Sequence, residues 1–270
     1  MVHLTYLVIL FAGAYSASAA PCETPAQRKA WHTLTDSEKL AYIGAELCLM
    51  EKFPKLTLEA ATSRFEELQA IHQSHLGLCI GGRFFRFIAC SCMPTRLLSV
   101  RNAAMMAIKY TLFPRGAYHR TLCNRAYLAY SRGRYWQEQL DAGSVTSSVL
   151  LDPSHGFGGD GSGTDRCITD GPFANFTNHL GLMYNNSEHC ITRRLSDRSS
   201  KSSAQSEVDK CHAMTEWVGA WRCIEANPHA GGHGGIGGLM LDPIASPGDP
   251  LLYLYHTWLD KVWWDWQKLD

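Results

Sequence analysis

Residues 249–260 read DPLLYLYHTWLD, and a little upstream residues 228–233 read PHAGGH. Asp249 is a good helix N-cap and Pro250 suits the first helical position, so a helix is predicted from there to about Lys268. Its inward side carries Leu252, Leu259, Val262, Trp263 and Trp266, and His256 projects from that same side. Asp260 lies one turn beyond, where it or a neighbouring backbone group would fix the imidazole tautomer. A His-x3-His pair such as His229 and His233 is common and on its own reads as structural. The third histidine changes that reading, because three neutral imidazoles converging on one point suit Cu, Zn, Fe or Ni.

The stretch from Asp249 to Asp260 resembles the Asp-Pro-x-Phe-aromatic-x-x-His-x3-Asp signature of the tyrosinase and catechol oxidase family of type-3 copper proteins, with Leu252 in place of the phenylalanine. The run from Trp258 to Gln267 is similar to the family's helix, and the Pro-His-x3-His element matches at Pro228, His229 and His233. The likeness covers Tyr135 to Asp270 well and Trp31 to His72 loosely. It implies a mainly α fold, a four-helix bundle holding two copper ions, and it identifies His229, His233 and His256 as the ligands of the second ion, copper B. It further implies an oxidoreductase that converts small phenols or catechols to o-quinones with O2. In that chemistry two cuprous ions, each held by three histidines, share a two-electron reduction. Glu225, four residues before His229, matches an acidic residue that in related enzymes holds a water near the coppers and helps deprotonate a phenol; a surface carboxylate is the competing reading. Tyr255 stands where the family usually has a further histidine, and Ala230 where monophenol-active members often have asparagine.

The first copper site is poorly matched. His72 stands where its first ligand belongs, but Cys79 and Ile88 lie near the places of the other two, and His75 and His119 are weak substitutes. From Leu68 to Gln137 there is no Asp or Glu, while ten Arg or Lys residues and four cysteines fall in the same window. No sustained periodicity organises it. Residues 73–135 are therefore expected to form an aberrant basic segment, incomplete or disordered, that compromises two helices of the bundle. Phe87 to Leu98 can be encoded so that a shifted frame reads Phe-His-Arg-Leu-Phe-Met-His-Ala-Tyr-Glu-Thr-Leu, words suited to the missing site, which points to a frameshift or mis-called splice junction. At face value the segment is instead a basic arm for polyanions.

Bulk properties set the frame for these readings. With 270 residues, 25 basic and 25 acidic side chains, the chain is expected to form one domain over 20–270, with no global bias toward nucleic acid or membrane. Leu4 to Gly13 is apolar and Ala17-Ser18-Ala19 fits a cleavage site, so 1–19 reads as a signal peptide and the protein as secreted. The competing reading is a buried N-terminal helix. Ten cysteines agree with an oxidising destination. Cys22, Cys48, Cys167, Cys190, Cys211 and Cys223 suit three bridges of unassigned connectivity, and Asn175 and Asn185 head glycosylation sequons. Thr35 and Glu38 predict a capping box before a stripe of Leu40, Ile43, Leu47 and Met50, and a second helix is expected from Leu58 to about His72. Gly156 to Gly163 reads as a loop and Leu195 to Ser206 as a polar linker. Oligomeric state has no sequence signal. Three functions stay open: a copper oxidase, a secreted non-catalytic relative with at most one metal site, and a polyanion-binding module.

Overall fold

Thr35 starts the first helix, α1 (Asp36–Glu51), with the reciprocal contacts of a capping box: its hydroxyl accepts from Glu38 N at 3.3 Å, and the Glu38 carboxylate accepts from Thr35 N at 3.1 Å. The computed structural model of the chain describes residues 27–79 and 134–269. The expected signal peptide at 1–19, Cys22, and the basic stretch over 80–133 with its shifted-frame reading and predicted disorder lie outside the described residues. The buried face of α1 keeps Ile43 of the expected stripe, with Leu47 and Met50 packed against the core, but not Leu40. Tyr42, Ile43, Ala45, Glu46 and Leu49 turn inward, while Leu40 is 48% exposed. The helix is rotated because Tyr42 packs edge-on against Trp31 and Phe157, and aromatic area outweighs one leucine.

The second helix, α2 (Arg64–Cys79), begins six residues later than the expected Leu58. Ser63 Oγ accepts from Glu66 N at 3.1 Å, and Glu66 in turn accepts from Thr62 N and its hydroxyl, so the true start signal is Ser63-x-x-Glu66. Leu68 and His72 share the buried face, one turn apart. Both margins of the expected basic segment are regular: α2 runs through Cys79, and Arg134–Tyr135 (β2) pairs in parallel with Lys29–Ala30 (β1). Trp136 then donates its backbone N–H to Leu254 O, and its indole donates to the buried Asp141.

Four two-residue strands follow as two antiparallel pairs, Gly161–Ser162 (β3) with Cys167–Ile168 (β4) and Thr177–Asn178 (β5) with His189–Cys190 (β6). The disulfide Cys167–Cys190 ties the two pairs together. Leu195 to Ser206 is no linker. It contains α3 (Asp197–Ser200) and a 3-10 turn (Lys201–Ser203), capped by Ser196, whose Oγ accepts from Ser199 N. After α4 (Gln205–His212), one continuous helical run is built from α5 (Trp217–Ile224), a π turn (Glu225–His229) and α6 (Ala230–Ile236). Cys211–Cys223 bridges α4 to α5, and Cys48 is disulfide-bonded as well.

The last helix, α7 (Leu251–Trp266), is buried on almost every face: Leu251, Leu254, Tyr255, Trp258 and Trp263 are all at most 2% exposed. Asp249 caps it as expected, accepting from Leu251 N at 3.0 Å, although the helix starts one residue later than predicted and stops at Trp266. The same carboxylate receives Arg193 through two bonds of 2.8 and 3.0 Å, both residues being fully buried. No helix among the described residues is long and apolar enough to cross a membrane. The result is a mainly α fold with short strand pairs at its margins, and its core lies where α7 meets α1, α2 and the α5 to α6 run.

Candidate metal centre

Pro228 sits inside the α5 to α6 run. A proline has no N–H to donate and its ring clashes with the carbonyl one turn back, so regular helix cannot pass through it. The π turn absorbs the misfit and carries His229 at its end. One turn further, on α6, stands His233, flanked by glycines that let neighbours approach closely. A Cβ on Gly231 would come within 2.3 Å of Ser203 Oγ, and one on Gly232 within 2.3 Å of the Tyr255 ring. The glycine-rich run is therefore a helix pressed against α3, the following 3-10 turn and α7, rather than a loop.

This packing gathers the three predicted histidines. Their ligand atoms all lie within 4.8 Å of one another, and this is the one such group among the described residues. His229 Nε2 and His233 Nε2 are 3.2 Å apart. Two nitrogens each about 2.0 Å from a tetrahedral ion sit roughly 3.3 Å apart, so the pair is spaced for a shared ion. The His256 ring lies 5.6 Å from His229 and 5.7 Å from His233 between centroids. Both of its nitrogens are buried and meet no hydrogen-bond partner among the described residues. Such orphaned nitrogens are what a metal ligand looks like without its ion.

Electrostatics agree with that role. Burial, reinforced by the charge His233 would carry, pushes His229 down to about 3, and burial alone takes His233 to about 4. Burial and its three histidine neighbours hold His256 well below the ordinary range. All three rings are thus neutral at pH 7, with lone pairs available. His233 Nδ1 donates to the Met240 carbonyl, and the His229 ring bonds the backbone of Glu225. These contacts fix the tautomer that leaves Nε2 of His233 facing the centre.

The other expected residues are placed less tightly. His72, buried on α2, lies close enough for its charge to count among the influences on His256. Glu225 is half-buried at the start of the π turn, and burial raises its carboxyl while Arg222 opposes the rise. Asp260 does not orient His256; it accepts from Arg28 at 3.0 Å on the surface. Tyr255 fills space beside the triad, its ring stacked on His229 at 5.8 Å and edge-on to His233 at 5.0 Å. Sequence reasoning missed Glu138 and Ser203 beneath the π turn, since a carboxylate and a serine in polar stretches carry no burial signal.

Residues 123–269 match the common central domain of tyrosinase. The chain is 29% identical over 277 residues to tyrosinase-like protein phomQ1 of Diaporthe leptostromiformis, an alignment that takes in 92% of this chain and 63% of that protein. It is 28% identical over 264 residues to tyrosinase ustQ of Aspergillus flavus, with 92% and 65% covered. The chain thus spans just under two thirds of the length of these curated relatives. Among solved structures, a polyphenol oxidase from Thermothelomyces thermophila shares the fold with a TM-score of 0.66 at 22% identity, over 89% of this chain and 69% of that one.

Proposed function

This chain belongs to the tyrosinase family, and from that premise we propose that it oxidises small phenols or catechols to o-quinones with O2, using copper held by His229, His233 and His256. The observation that carries the proposal is the half-buried His256 ring, whose two buried nitrogens are bare opposite the close pair of Nε2 atoms. All-imidazole coordination suits several first-row metals, and the family selects copper among them. When bound, copper supplies the one-electron couple through which O2 is reduced.

The residues have separable tasks. Burial keeps the three rings neutral, and the Met240 carbonyl holds the tautomer of His233. Glu225, raised by burial, would accept the phenolic proton. His72 would contribute the first ligand of a second copper. Converting a catechol to its quinone removes two electrons and two protons, so one O2 taken to two waters serves two catechols. Disulfides Cys167–Cys190 and Cys211–Cys223, with Asn175 and Asn185 both exposed, support a secreted glycoprotein.

The single triad among the described residues favours a second reading, a non-catalytic relative with at most one metal site. Copper content per chain, measured with oxygen uptake on catechol, separates the two. Two ions with catechol-dependent uptake support the oxidase. One ion or none, without uptake, supports the second reading and sinks the first.

A further inference from the structure

Two successive carbonyls of the π turn are contacted by hydroxyls from distant parts of the chain. Ser203 Oγ lies 3.2 Å from Pro228 O, and Tyr255 Oη donates to His229 O. Ser203 Oγ is also 2.6 Å from Glu138 Oε2. A serine hydroxyl has one proton to give. Its shorter contact is with the Glu138 carboxyl oxygen and its longer one with the Pro228 carbonyl, so Ser203 ties Glu138 to the turn. Burial raises the Glu138 carboxyl well above its usual range, against the opposing pull of the Ser203 bond. Glu138 and Ser203 are each 1% exposed, and Tyr255 is fully buried. Glycine at 232 is what admits this arrangement, since a Cβ there would meet the Tyr255 ring at 2.3 Å and Glu138 Oε1 at 2.8 Å.

We propose that Glu138, Ser203 and Tyr255 form a clamp on the turn that bears His229, acting as positioning residues that hold its ring in register with His233 and His256 before an ion arrives. The proposal rests on the assignment of the three histidines as a metal centre. A π turn lacks the tight spacing of an α-helix, so the two carbonyls flanking the ligand are where external bonds restrain it most directly. Tyr255 does double duty, because the ring that supplies the hydroxyl also stacks on His229. Supports of this kind around a ligand ordinarily change metal affinity by about 10- to 100-fold.

The test titrates Cu(II) into the metal-free full chain, with affinity read against a chelating dye and coordination read by electron paramagnetic resonance. Tyr255→Phe and Ser203→Ala are each expected to weaken Cu(II) by about tenfold or more and to alter the hyperfine splitting, with circular dichroism unchanged. Glu138→Gln keeps an acceptor oxygen toward Ser203 and should retain wild-type affinity and spectrum, whereas Glu138→Leu should behave like Ser203→Ala. A purely structural role would move none of the spectra. Tyr255→Phe removes one oxygen and is decisive should truncation at 203 unfold the chain. Wild-type affinity and spectrum in folded Tyr255→Phe overturn the clamp while leaving the metal centre standing; absence of copper binding by the wild type overturns the metal centre itself.

Discussion

Helix α7 buries two polar clusters about two turns apart, and they follow opposite rules. At its start, Arg193 gives two bonds to Asp249 and further bonds to the carbonyls of Phe157 and Gly158 at 3.0 and 2.6 Å. Every charge there is matched from within the chain. Further along, His256 buries two nitrogens that the described residues leave unmatched. An unsatisfied buried polar group costs about 1–3 kcal/mol, so a fold that satisfies an arginine completely has no stability reason to leave a histidine bare beside it. The first cluster is closed within the chain; the second leaves two nitrogens open to the ion proposed above.

Acid probes the second cluster and has the largest expected effect. Unfolded histidines take up protons near 6.5, whereas burial keeps His233 neutral in the fold down to about 4 and His229 down to about 3. The unfolded state therefore binds more protons across that window. Metal-free protein should lose stability as pH falls from 6.5 toward 4, by about 1.4 kcal/mol per unit for each ring that stays neutral. Urea midpoints check this, and a flat profile would mean that the rings protonate freely in place. Next comes Arg193→Met, which strands the Asp249 carboxylate and should cost about 3–5 kcal/mol in the same assay. A loss under about 1 kcal/mol would erase the contrast between the clusters. Adding Cu(II) at a hundredfold excess over its Kd should stabilise the wild type by about 2.7 kcal/mol, and His256→Ala should abolish the gain. The smallest effect is expected from His256→Leu without metal: within about 1 kcal/mol of wild type, or slightly stabilising, because it removes two unsatisfied nitrogens. Marked destabilisation there would place His256 with the closed cluster.

Local signals in the sequence were reliable where one segment decides its own conformation. The Thr35 and Glu38 box and the Asp249 cap act within a few residues and both are present, whereas His256 joins the His229 and His233 pair only through the packing of α7 on α6. Features set by distant partners were not legible. Leu195 to Ser206 looks like a linker by composition, yet it is helical because its serines fit against glycines of α6 far along the chain. The inward face of α1 depends on Trp31 and Phe157, which its own periodicity does not contain. The start of α2 at Arg64 lies six residues beyond the expected Leu58, although Ser63-x-x-Glu66 stands in the sequence. Glu138 was silent because nothing local distinguishes a buried carboxyl from a solvated one.

The π turn has a consequence for how this chain tolerates change in length. A helix advances about 100° per residue, so an extra residue absorbed without lengthening the rod acts as a phase shifter between the helical segments on its two sides. Trimming one residue from the stretch 225–229 would leave composition and helicity nearly intact while swinging α6 by about a quarter turn or more relative to α5. His233 would then face away from Tyr255, and the glycines would lose the surfaces they were shaped to meet. Single-residue deletions in this short interval should therefore be far more damaging than most substitutions in it.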